Sequence, residues 1–465
     1  MSGKRSIKNP GLALASALLS LCLLCGGCGR AAKDTPDETT GPGTVPAADE
    51  QTQNAEAGEP KEETMELSLA EQAASLREEL WARYCESERQ DEARKAEDEN
   101  RSLSWGGVTM KYGMKVVGEP DGKGLYPLYI ALHGGGSDET GKINDDQWRQ
   151  MAVYYLGEVK SGIYVNPRAV RDTWDCHSNP ESFPLYDRLI ENMILFRNAD
   201  PDRVYLLGFS AGGDGVYQIT PRMADRFAAA NMSAGHPNGI KLENLYNMPI
   251  QLQVGINDAS YNRNKVTAEY DILLNKLQAK YGGGYVHRTN IHVDKAHNFA
   301  DYDAREHVIV EDVNAYFRKG EYTTTKAYTG AVGFLDQYVR DALPDTVVWN
   351  LGVRASRREV ESFYWLSAPM TVTQGIVTAS CDRETNTVTL QTGGKSAEGL
   401  SILLSTRMFD FSKPVTVVVD GTPYEVTPEI RTEIMEETLR ERGDPSFIFE
   451  DRVSVADLTA DGSGD

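Results

Sequence analysis

The fold of this chain is decided by the stretch Val204-Tyr205-Leu206-Leu207-Gly208-Phe209-Ser210-Ala211-Gly212. Its four leading apolar residues predict a buried strand, and the residues from Asp214 onward predict the start of a helix. Between the two lies a G-x-S-x-G motif, whose glycines lack the Cβ atoms that would keep a strand and a helix apart at a tight turn. We therefore expect Ser210 to lie in a strained turn, with its hydroxyl group raised above the end of a strand.

A glycine-rich loop comes before this turn in the chain. Residues 128–132 predict another buried strand, and they run directly into His133-Gly134-Gly135-Gly136. A loop of this kind bares backbone N–H groups that could hold a developing oxyanion. We expect Gly135, Gly136 and Ala211 to supply these groups. The alternative is a plain glycine-rich turn, which the position directly after a strand makes less favoured.

Farther along the chain, two more predicted strands are each followed by a polar residue. Residues 249–255 predict a strand, and Asp258 comes three residues after its last glycine. Residues 284–293 predict the next strand, and His297 lies in the loop that follows. The chain order is therefore Ser210, Asp258, His297, with each residue placed just after a strand.

In these residues and their order, the chain resembles the α/β-hydrolase superfamily. Within it, the chain is similar to esterases related to polyhydroxybutyrate depolymerases, feruloyl esterases and dienelactone hydrolases, over about residues 125–317. The resemblance implies a doubly wound, mostly parallel sheet, which the alternation of short strands and helices also predicts. It also implies that Ser210 is the nucleophile, His297 the general base and then acid, and Asp258 the residue that orients His297.

Five further residues are candidates for contact with a substrate: His133, Arg168, Trp174, His236 and Tyr261. We expect them in loops at the carboxyl edge of the sheet, where ligands bind in open α/β folds. Packing is the alternative for Trp174 and His236, and a buried ion pair is an equally good interpretation of Arg168. Tyr261 could instead belong to the first turn of a helix.

The sequence predicts neither a metal nor a cofactor. It contains no H-E-x-x-H motif and no phosphate-binding or dinucleotide glycine motif after a strand. Its two C-x-x-C spacings, Cys22 with Cys25 and Cys25 with Cys28, both lie in the leader. The remaining cysteines, Cys85, Cys176 and Cys381, lie in different regions, so no disulfide framework is expected.

The first residues have the features of an export signal. Lys4, Arg5 and Lys8 precede an apolar run over residues 12–24, which is too short to be read as a membrane span. The small residues before Cys28 resemble a bacterial lipobox, which implies cleavage after residue 27 and lipidation of Cys28. We therefore expect a lipid anchor on the extracytoplasmic face of the cell membrane. A simple secretory peptide with incidental cysteines is the alternative.

The composition changes several times along the rest of the chain. Residues 28–63 hold hardly any apolar side chain and cannot form a core, so they should be a disordered tether. The other predicted segments are a charged helix over 64–103, a catalytic domain over 104–320, a helical connector over 321–345, a small all-β module of five or six strands over 346–425, and a charged helix with a disordered tail over 426–465. In the β-module, Trp349, Tyr364 and Trp365 could bind a glycan, but aromatic residues in such modules are more often core.

The charge of the chain narrows the function further. With 48 basic and 69 acidic residues, its formal net charge is −21, which argues against nucleic acid or anionic lipid head groups as partners. The sequence therefore predicts a serine esterase that acts on a small-molecule or glycan-linked ester. Two alternatives stay open, a serine peptidase of the same fold and a catalytically inert surface-binding lipoprotein. The presence of all three catalytic residue types with the triple glycine disfavours the second.

Overall fold

The structure is a computed structural model that describes residues 67–302, 307–319, 321–357, 360–393 and 399–461. The signal peptide predicted over 1–27 and the tether predicted over 28–63, including Cys28, lie outside these residues. The described residues belong to one compact unit. Within them, no helix combines the length and the apolar composition needed to cross a membrane.

A ten-stranded sheet forms the centre of the molecule. Its strands are β1 (Ser102–Trp105), β2 (Val108–Val117), β3 (Tyr126–Leu132), β4 (Gly162–Pro167), β5 (Ala199–Phe209), β6 (Ala229–Ser233), β7 (Ile250–Gly255), β8 (His287–His292), β9 (Ile309–Val310) and β10 (Thr324–Thr325). They are ordered β1-β2-β4-β3-β5-β6-β7-β8-β9-β10. Strands β3 to β8 pair in parallel, and β1, β2, β9 and β10 pair antiparallel at the two edges. This is the α/β-hydrolase fold, a doubly wound and mostly parallel sheet.

Side chains of the central strands alternate between the two faces of this sheet. In β3, Leu128 and Ile130 join the hydrophobic core on one face, whereas Tyr129 and Ala131 join the core on the other. Helices cover both faces: α4 (Ser182–Arg197), α5 (Ala211–Ile219) and α6 (Arg263–Tyr281) on the first, and α3 (Lys142–Tyr154) and α8 (Ala331–Leu335) on the second. Because both faces are covered, polar side chains within the sheet bond to one another, as Gln253 does to Asn231 and Gln251.

The segment predicted as one charged helix over 64–103 is two helices followed by a strand. Helix α1 (Leu69–Gln90) begins at a capping box formed by Ser68 and Glu71, and α2 (Glu92–Asn100) begins at Asp91, whose side chain accepts the N–H group of Arg94. The prediction missed this break because Asp91 also fits a polar helix face. Arg94 forms a buried ion pair of 2.5 Å with Glu191 of α4, so the helices pack on the hydrolase domain.

The C-terminal region is larger than the predicted β-module. A five-stranded sheet contains β11 (Thr346–Asn350), β14 (Ile376–Asp382), β15 (Thr387–Gln391), β17 (Val415–Val419) and β18 (Thr422–Val426). A four-stranded sheet contains β12 (Ser362–Phe363), β13 (Leu366–Ser367), β16 (Ser401–Leu404) and β19 (Asp451–Ser454). Trp349, Tyr364 and Trp365 are buried, so they belong to the core and not to a glycan-binding surface.

The connector and the tail also differ from their predictions. The segment 321–345 contains β10, which pairs with β9 of the central sheet, and only the short helix α8. Beyond the predicted module, α9 (Thr432–Arg442) is followed by β19 and by α10 (Val455–Asp461). The remaining helix, α7 (Val313–Lys319), lies between β9 and β10. The tail is structured through residue 461 because β19 pairs antiparallel with β16. Residues 462–465 lie outside the description.

Charged side chains are buried where the C-terminal region meets the hydrolase domain. This group, named here the buried charge cluster, consists of Arg226, Arg340, Arg357, Arg442, Asp187, Asp202, Asp225 and Asp444. Apart from Asp202, their side chains are at most 4% exposed. Four positive and four negative groups balance one another, which is the condition under which charges tolerate burial.

Candidate active site

Ser210 lies in the strained turn between β5 and α5 that the sequence predicts. Its backbone angles are φ 58° and ψ −122°, in a region that side-chain-bearing residues rarely adopt. The turn depends on two glycines, because a Cβ atom on Gly208 would lie 2.3 Å from the carbonyl oxygen of Gly212, and one on Gly212 would lie 2.1 Å from that of Leu132. The close approach of β3, β5 and α5 therefore requires glycine at both positions.

Ser210, His297 and Asp258 are joined by hydrogen bonds. His297 Nε2 lies 2.9 Å from Ser210 Oγ, and His297 Nδ1 lies 2.7 Å from Asp258 Oδ2. Asp258 is buried after β7, whereas the side chain of His297, after β8, is 35% exposed. The three residues come from three separate loops at the carboxyl edge of the sheet. Their order and contacts are those needed for a nucleophile, a base and an acid that orients the base.

Asp301, a flanking carboxyl group in the His297 loop, has a different environment. It is completely buried, and its carboxylate accepts hydrogen bonds from the hydroxyl groups of Tyr154, at 2.8 Å, Tyr155, at 2.9 Å, and Ser233. Burial raises the pKa of Asp301 to about 6, although the three hydroxyl groups act in the opposite direction. Asp301 thus fastens the end of the His297 loop to β6 and α3.

Arg263 is a residue of this site that sequence reasoning missed. It begins α6 and is mostly buried, with Nη1 3.9 Å from Asp258 Oδ1. The ring of Tyr261 lies over its guanidinium group, with 4.9 Å between Cζ and the ring centroid. Arg263 therefore places a positive charge beside the carboxylate that contacts His297. The sequence feature that points to this residue is its position in the polar stretch 261–264, just after Asp258.

In the glycine-rich loop, one of the three predicted oxyanion donors is wrong. The N–H group of Gly136 donates to Oδ1 of the buried Asn144 at 2.9 Å, and Nδ2 of Asn144 donates to the Gly136 carbonyl at 2.8 Å. Because its N–H group is already engaged, Gly136 is not a donor to substrate in this conformation. Gly135 and Ala211 keep that candidacy, the latter because it is the first residue of α5, where N–H groups lack helical partners.

Two of the predicted substrate contacts are structural residues instead. His133 is completely buried; its Nδ1 donates to the Gly134 carbonyl at 2.5 Å, and its Nε2 accepts the Ala169 N–H group at 3.1 Å. Burial lowers the pKa of His133 to about 4, so the ring is neutral. Arg168 pairs with Asp145 at 2.8 Å and with Asp172 at 2.6 Å. The ion-pair interpretation of Arg168 is therefore the one that the structure supports.

The other three predicted contacts, Trp174, His236 and Tyr261, line a cavity of about 570 Å³ beside Ser210. This space is named here the α5 cavity, because one face of α5 forms its floor through Ala211, Asp214, Gly215 and Gln218. The Trp174 and Tyr261 rings meet edge to face with centroids 6.3 Å apart. Burial raises the pKa of Asp214 to about 6, opposed by the backbone N–H group of His236, which donates to its carboxylate at 2.6 Å.

A second cavity has a volume of about 460 Å³. Phe209 lines this cavity and Ala211 lines the α5 cavity, so the two chain neighbours of Ser210 face different spaces. The second cavity is walled by Met151, Tyr154, Phe299 and other residues of α3 and the His297 loop.

Within the described ranges, no three His, Cys, Asp or Glu side chains are grouped so that they could hold a metal ion. Cys85, Cys176 and Cys381 are buried and unpaired with one another. Burial raises the pKa of the Cys176 thiol to about 12, so this cysteine is un-ionised at neutral pH.

No family model matches the chain. Over 114 residues, it is 30% identical to the bifunctional acetylxylan esterase/xylanase XynS20E of Neocallimastix patriciarum. The match spans 24% of this chain and only 16% of that protein's length.

Similar solved structures have been described as esterases and related enzymes. A thermostable esterase has 20% identity and a TM-score of 0.34, with 51% of this chain and 62% of that chain covered. The LpqC poly(3-hydroxybutyrate) depolymerase from Bordetella parapertussis has 15% identity and a TM-score of 0.33, with 46% and 86% covered. A ferulic acid esterase has 14% identity and a TM-score of 0.27, with 43% and 91% covered. The fold assignment itself comes from the strand order and pairing described above.

Proposed function

We propose that this protein is a serine hydrolase that cleaves carboxylic esters through Ser210, His297 and Asp258. The observation that carries the proposal is the unbroken line of hydrogen bonds from Ser210 Oγ to the buried Asp258, which begins at a strained turn. A serine hydroxyl group attacks a carbonyl carbon only when a base removes its proton, and imidazole suits this role near neutral pH. The name of the curated relative, an acetylxylan esterase, supports esters as the substrate class.

The geometry suggests how each residue contributes. With Nδ1–H donated to Asp258, His297 Nε2 accepts the Ser210 proton while Oγ bonds to the carbonyl carbon. The negative oxygen that forms would lie near the N–H groups of Ala211 and Gly135, and each such donor is worth roughly 100-fold or more in rate. The C–O bond to the alcohol then breaks, and His297 returns the proton to the departing oxygen. Water attacks the acyl-serine by the same route.

Replacing the nucleophile tests this proposal. Ser210→Ala should lower kcat for p-nitrophenyl acetate by several orders of magnitude, because the three residues act as a unit. The melting temperature should not fall, since the hydroxyl group serves only the reaction. Ser104→Ala, a serine of β1 whose hydroxyl pairs with Thr109, should keep the wild-type rate.

Two further measurements separate the alternatives. A fluorophosphonate probe should label the wild type and not Ser210→Ala. Faster cleavage of dipeptide p-nitroanilides than of esters would favour the serine peptidase, which uses the same residues. A wild-type protein that neither cleaves esters and amides nor reacts with the probe would be the inert binding protein.

We also propose that the chain is anchored by lipid at Cys28 on the extracytoplasmic face of the membrane. Support comes from the sequence of residues 1–28 and from the polar segment that follows, which could hold a catalytic domain away from a bilayer. Cys28→Ser should move the full-length protein from the membrane fraction to the soluble fraction and abolish its labelling by a fatty-acid analogue. Cys22→Ser is the matched control and should remain membrane-bound. Unchanged fractionation of Cys28→Ser would remove the lipoprotein assignment.

A further inference from the structure

We infer that the α5 cavity binds an uncharged sugar ring, so that the ester cleaved at Ser210 is carried by a glycan. This inference rests on the proposed esterase function and assigns one side of the ester to one cavity. It follows from the length of the cavity, from its exposed aromatic rings and from the chemistry of its floor.

The cavity begins at Ala211, the residue after the nucleophile, and runs along one face of α5. Its floor residues are Ala211, Asp214, Gly215 and Gln218, which follow the spacing of one helical face. At 1.5 Å per residue, Gln218 lies about 12 Å farther along the helix axis than Ser210. A substrate with its carbonyl group at Ser210 can therefore extend about two helical turns into the cavity, which is more than a short acyl or alkyl group needs.

Two aromatic side chains form an exposed wall of the cavity. Trp174 is 62% exposed and Tyr261 is 63% exposed, although large aromatic side chains are normally covered. Both are nevertheless held in place. The Trp174 ring lies against Gly136, where a Cβ atom would come within 2.7 Å of it, and Tyr261 lies over Arg263. Tyr261 also has a positive φ of 56°, a strain that proteins tend to retain at ligand sites.

The remaining side chains of the lining carry hydrogen-bonding groups. Apart from Ala211 and Gly215, the lining residues are polar, charged or aromatic, so the cavity offers no aliphatic surface for an acyl chain. The carboxylate of Asp214 faces this space, and His236 and Asn238 adjoin it. A pyranose ring presents C–H groups on its faces and hydroxyl groups around its edge. It therefore matches aromatic walls combined with hydrogen-bonding side chains.

The charges of the cavity disfavour an anionic ligand. Asp175 and Asp214 would repel a carboxylate, and the guanidinium group of Arg263, which also lines the cavity, already faces Asp258. The second cavity has a different wall, formed in part by Met151, Phe209 and Phe299.

Equilibrium binding of unesterified sugars tests the inference without turnover. Full-length Ser210→Ala should bind xylotriose or cellotriose saturably, as measured by calorimetry, with a Kd of about 1 mM or tighter. Adding Trp174→Ala should raise that Kd about 10-fold or more. Adding Trp105→Ala, which removes a Trp that is 46% exposed in β1, should leave it unchanged. The acidic sugar trigalacturonate should bind more weakly than either neutral trisaccharide.

Three results would overturn the inference. These are no saturable binding of either neutral sugar, equal loss of binding in the Trp174 and Trp105 variants, or preferred binding of the dipeptide Gly-Pro. Hydrolysis of p-nitrophenyl acetate by the wild type tests the esterase proposal independently of sugar binding. A wild type that cleaves this ester while Ser210→Ala binds no sugar would retain the esterase proposal and lose only the glycan.

Discussion

Asp444 is the residue whose replacement best tests how the C-terminal region is held on the hydrolase domain. Its side chain is 1% exposed and lies within the buried charge cluster. One carboxylate oxygen, Oδ2, forms ion pairs with Arg340 Nη2 at 2.9 Å and with Arg226 Nη1 at 3.2 Å. The other accepts the N–H group of Ser446 at 2.9 Å. Asp444→Asn removes the charge and preserves the shape of the side chain.

The magnitude follows from the burial of the two arginines. Burial alone would raise the pKa of Asp444, but the guanidinium groups of Arg340 and Arg226 outweigh it and hold the pKa below its usual range. The carboxylate is therefore ionised in the folded protein at neutral pH. Without it, the cluster has one uncompensated buried positive charge, which typically costs about 3–5 kcal/mol. At an unfolding entropy of about 2.1 cal/mol/K per residue over roughly 400 folded residues, that corresponds to a fall in Tm of roughly 4–6 °C.

The pH dependence has a definite sign. A depressed folded-state pKa contributes stability above the unfolded value, near pH ~4, and this stability is lost as the pH falls through the folded-state pKa. Calorimetric melting at pH 7 should therefore show the full difference between the wild type and Asp444→Asn. The difference should shrink in strongly acidic solution, where both side chains are uncharged.

An exposed aspartate provides the matched control. Asp146 on α3 pairs with Lys142 at 2.6 Å and also with Arg149, but its side chain is 42% exposed. Asp146→Asn should therefore change stability by no more than about 1 kcal/mol. Arg340→Lys keeps the charge but loses the two guanidinium hydrogen bonds to Asp202. Its loss of stability should lie between those of Asp444→Asn and Asp146→Asn. If Asp444→Asn and Asp146→Asn have the same Tm at pH 7, the reasoning from buried charge is wrong.

Two other substitutions test the supports of the active site. Asn144→Leu removes both hydrogen bonds that fix Gly136, and kcat for p-nitrophenyl acetate should therefore fall about 10- to 100-fold. An unchanged kcat would mean that other contacts hold the glycine-rich loop. Burial raises the pKa of Asp301 to about 6, so its stabilising contribution is present below about pH 4 and is lost as the pH rises through 6. Relative to Asp301→Asn, the wild type should therefore lose on the order of 3 kcal/mol between about pH 4 and pH 7, as measured by urea unfolding; parallel stability curves would contradict this.

The central fold and the meeting of Ser210, Asp258 and His297 could be predicted from sequence because both depend on local patterns. A buried strand, a G-x-S-x-G turn and a helix are adjacent in the chain, and the close contacts at Gly208 and Gly212 explain why glycine is needed there. The carboxyl ends of parallel strands share one edge of a sheet. Residues that follow β5, β7 and β8 therefore had to come near one another.

The direction of individual groups could not be predicted in this way. A glycine-rich loop indicates bare N–H groups, but only packing shows that Asn144, from α3, engages the one on Gly136. His133 belongs to the same motif, and its burial depends on contacts with the loop that contains Ala169. In both cases a residue distant in the chain decides the role, and no pattern in the glycine-rich motif itself reports it.

The C-terminal region escaped prediction for a related reason. A charge-rich segment is normally a solvated surface, so the sequence favoured a charged helix and a disordered tail. In the structure, Arg442 of α9 instead lies 2.6 Å from Asp225, and β19 completes a sheet with β16, about fifty residues earlier in the chain. The balance of charges is visible only when both partners are brought together.

This arrangement connects the C-terminal region to the helix that follows the nucleophile. Helix α5 begins just after Ser210 and leads within a few residues to Asp225 and Arg226 of the buried charge cluster. The backbone N–H group of Tyr364, from the β-module, donates to Asp225, and Arg226 pairs with Asp444. The C-terminal region therefore packs against the segment that follows α5, six residues beyond the end of the helix, and the contacts that it makes there are between buried charges. The strained turn at Ser210 lies at the other end of the same helix, and such strain persists only when the surrounding structure resists its release.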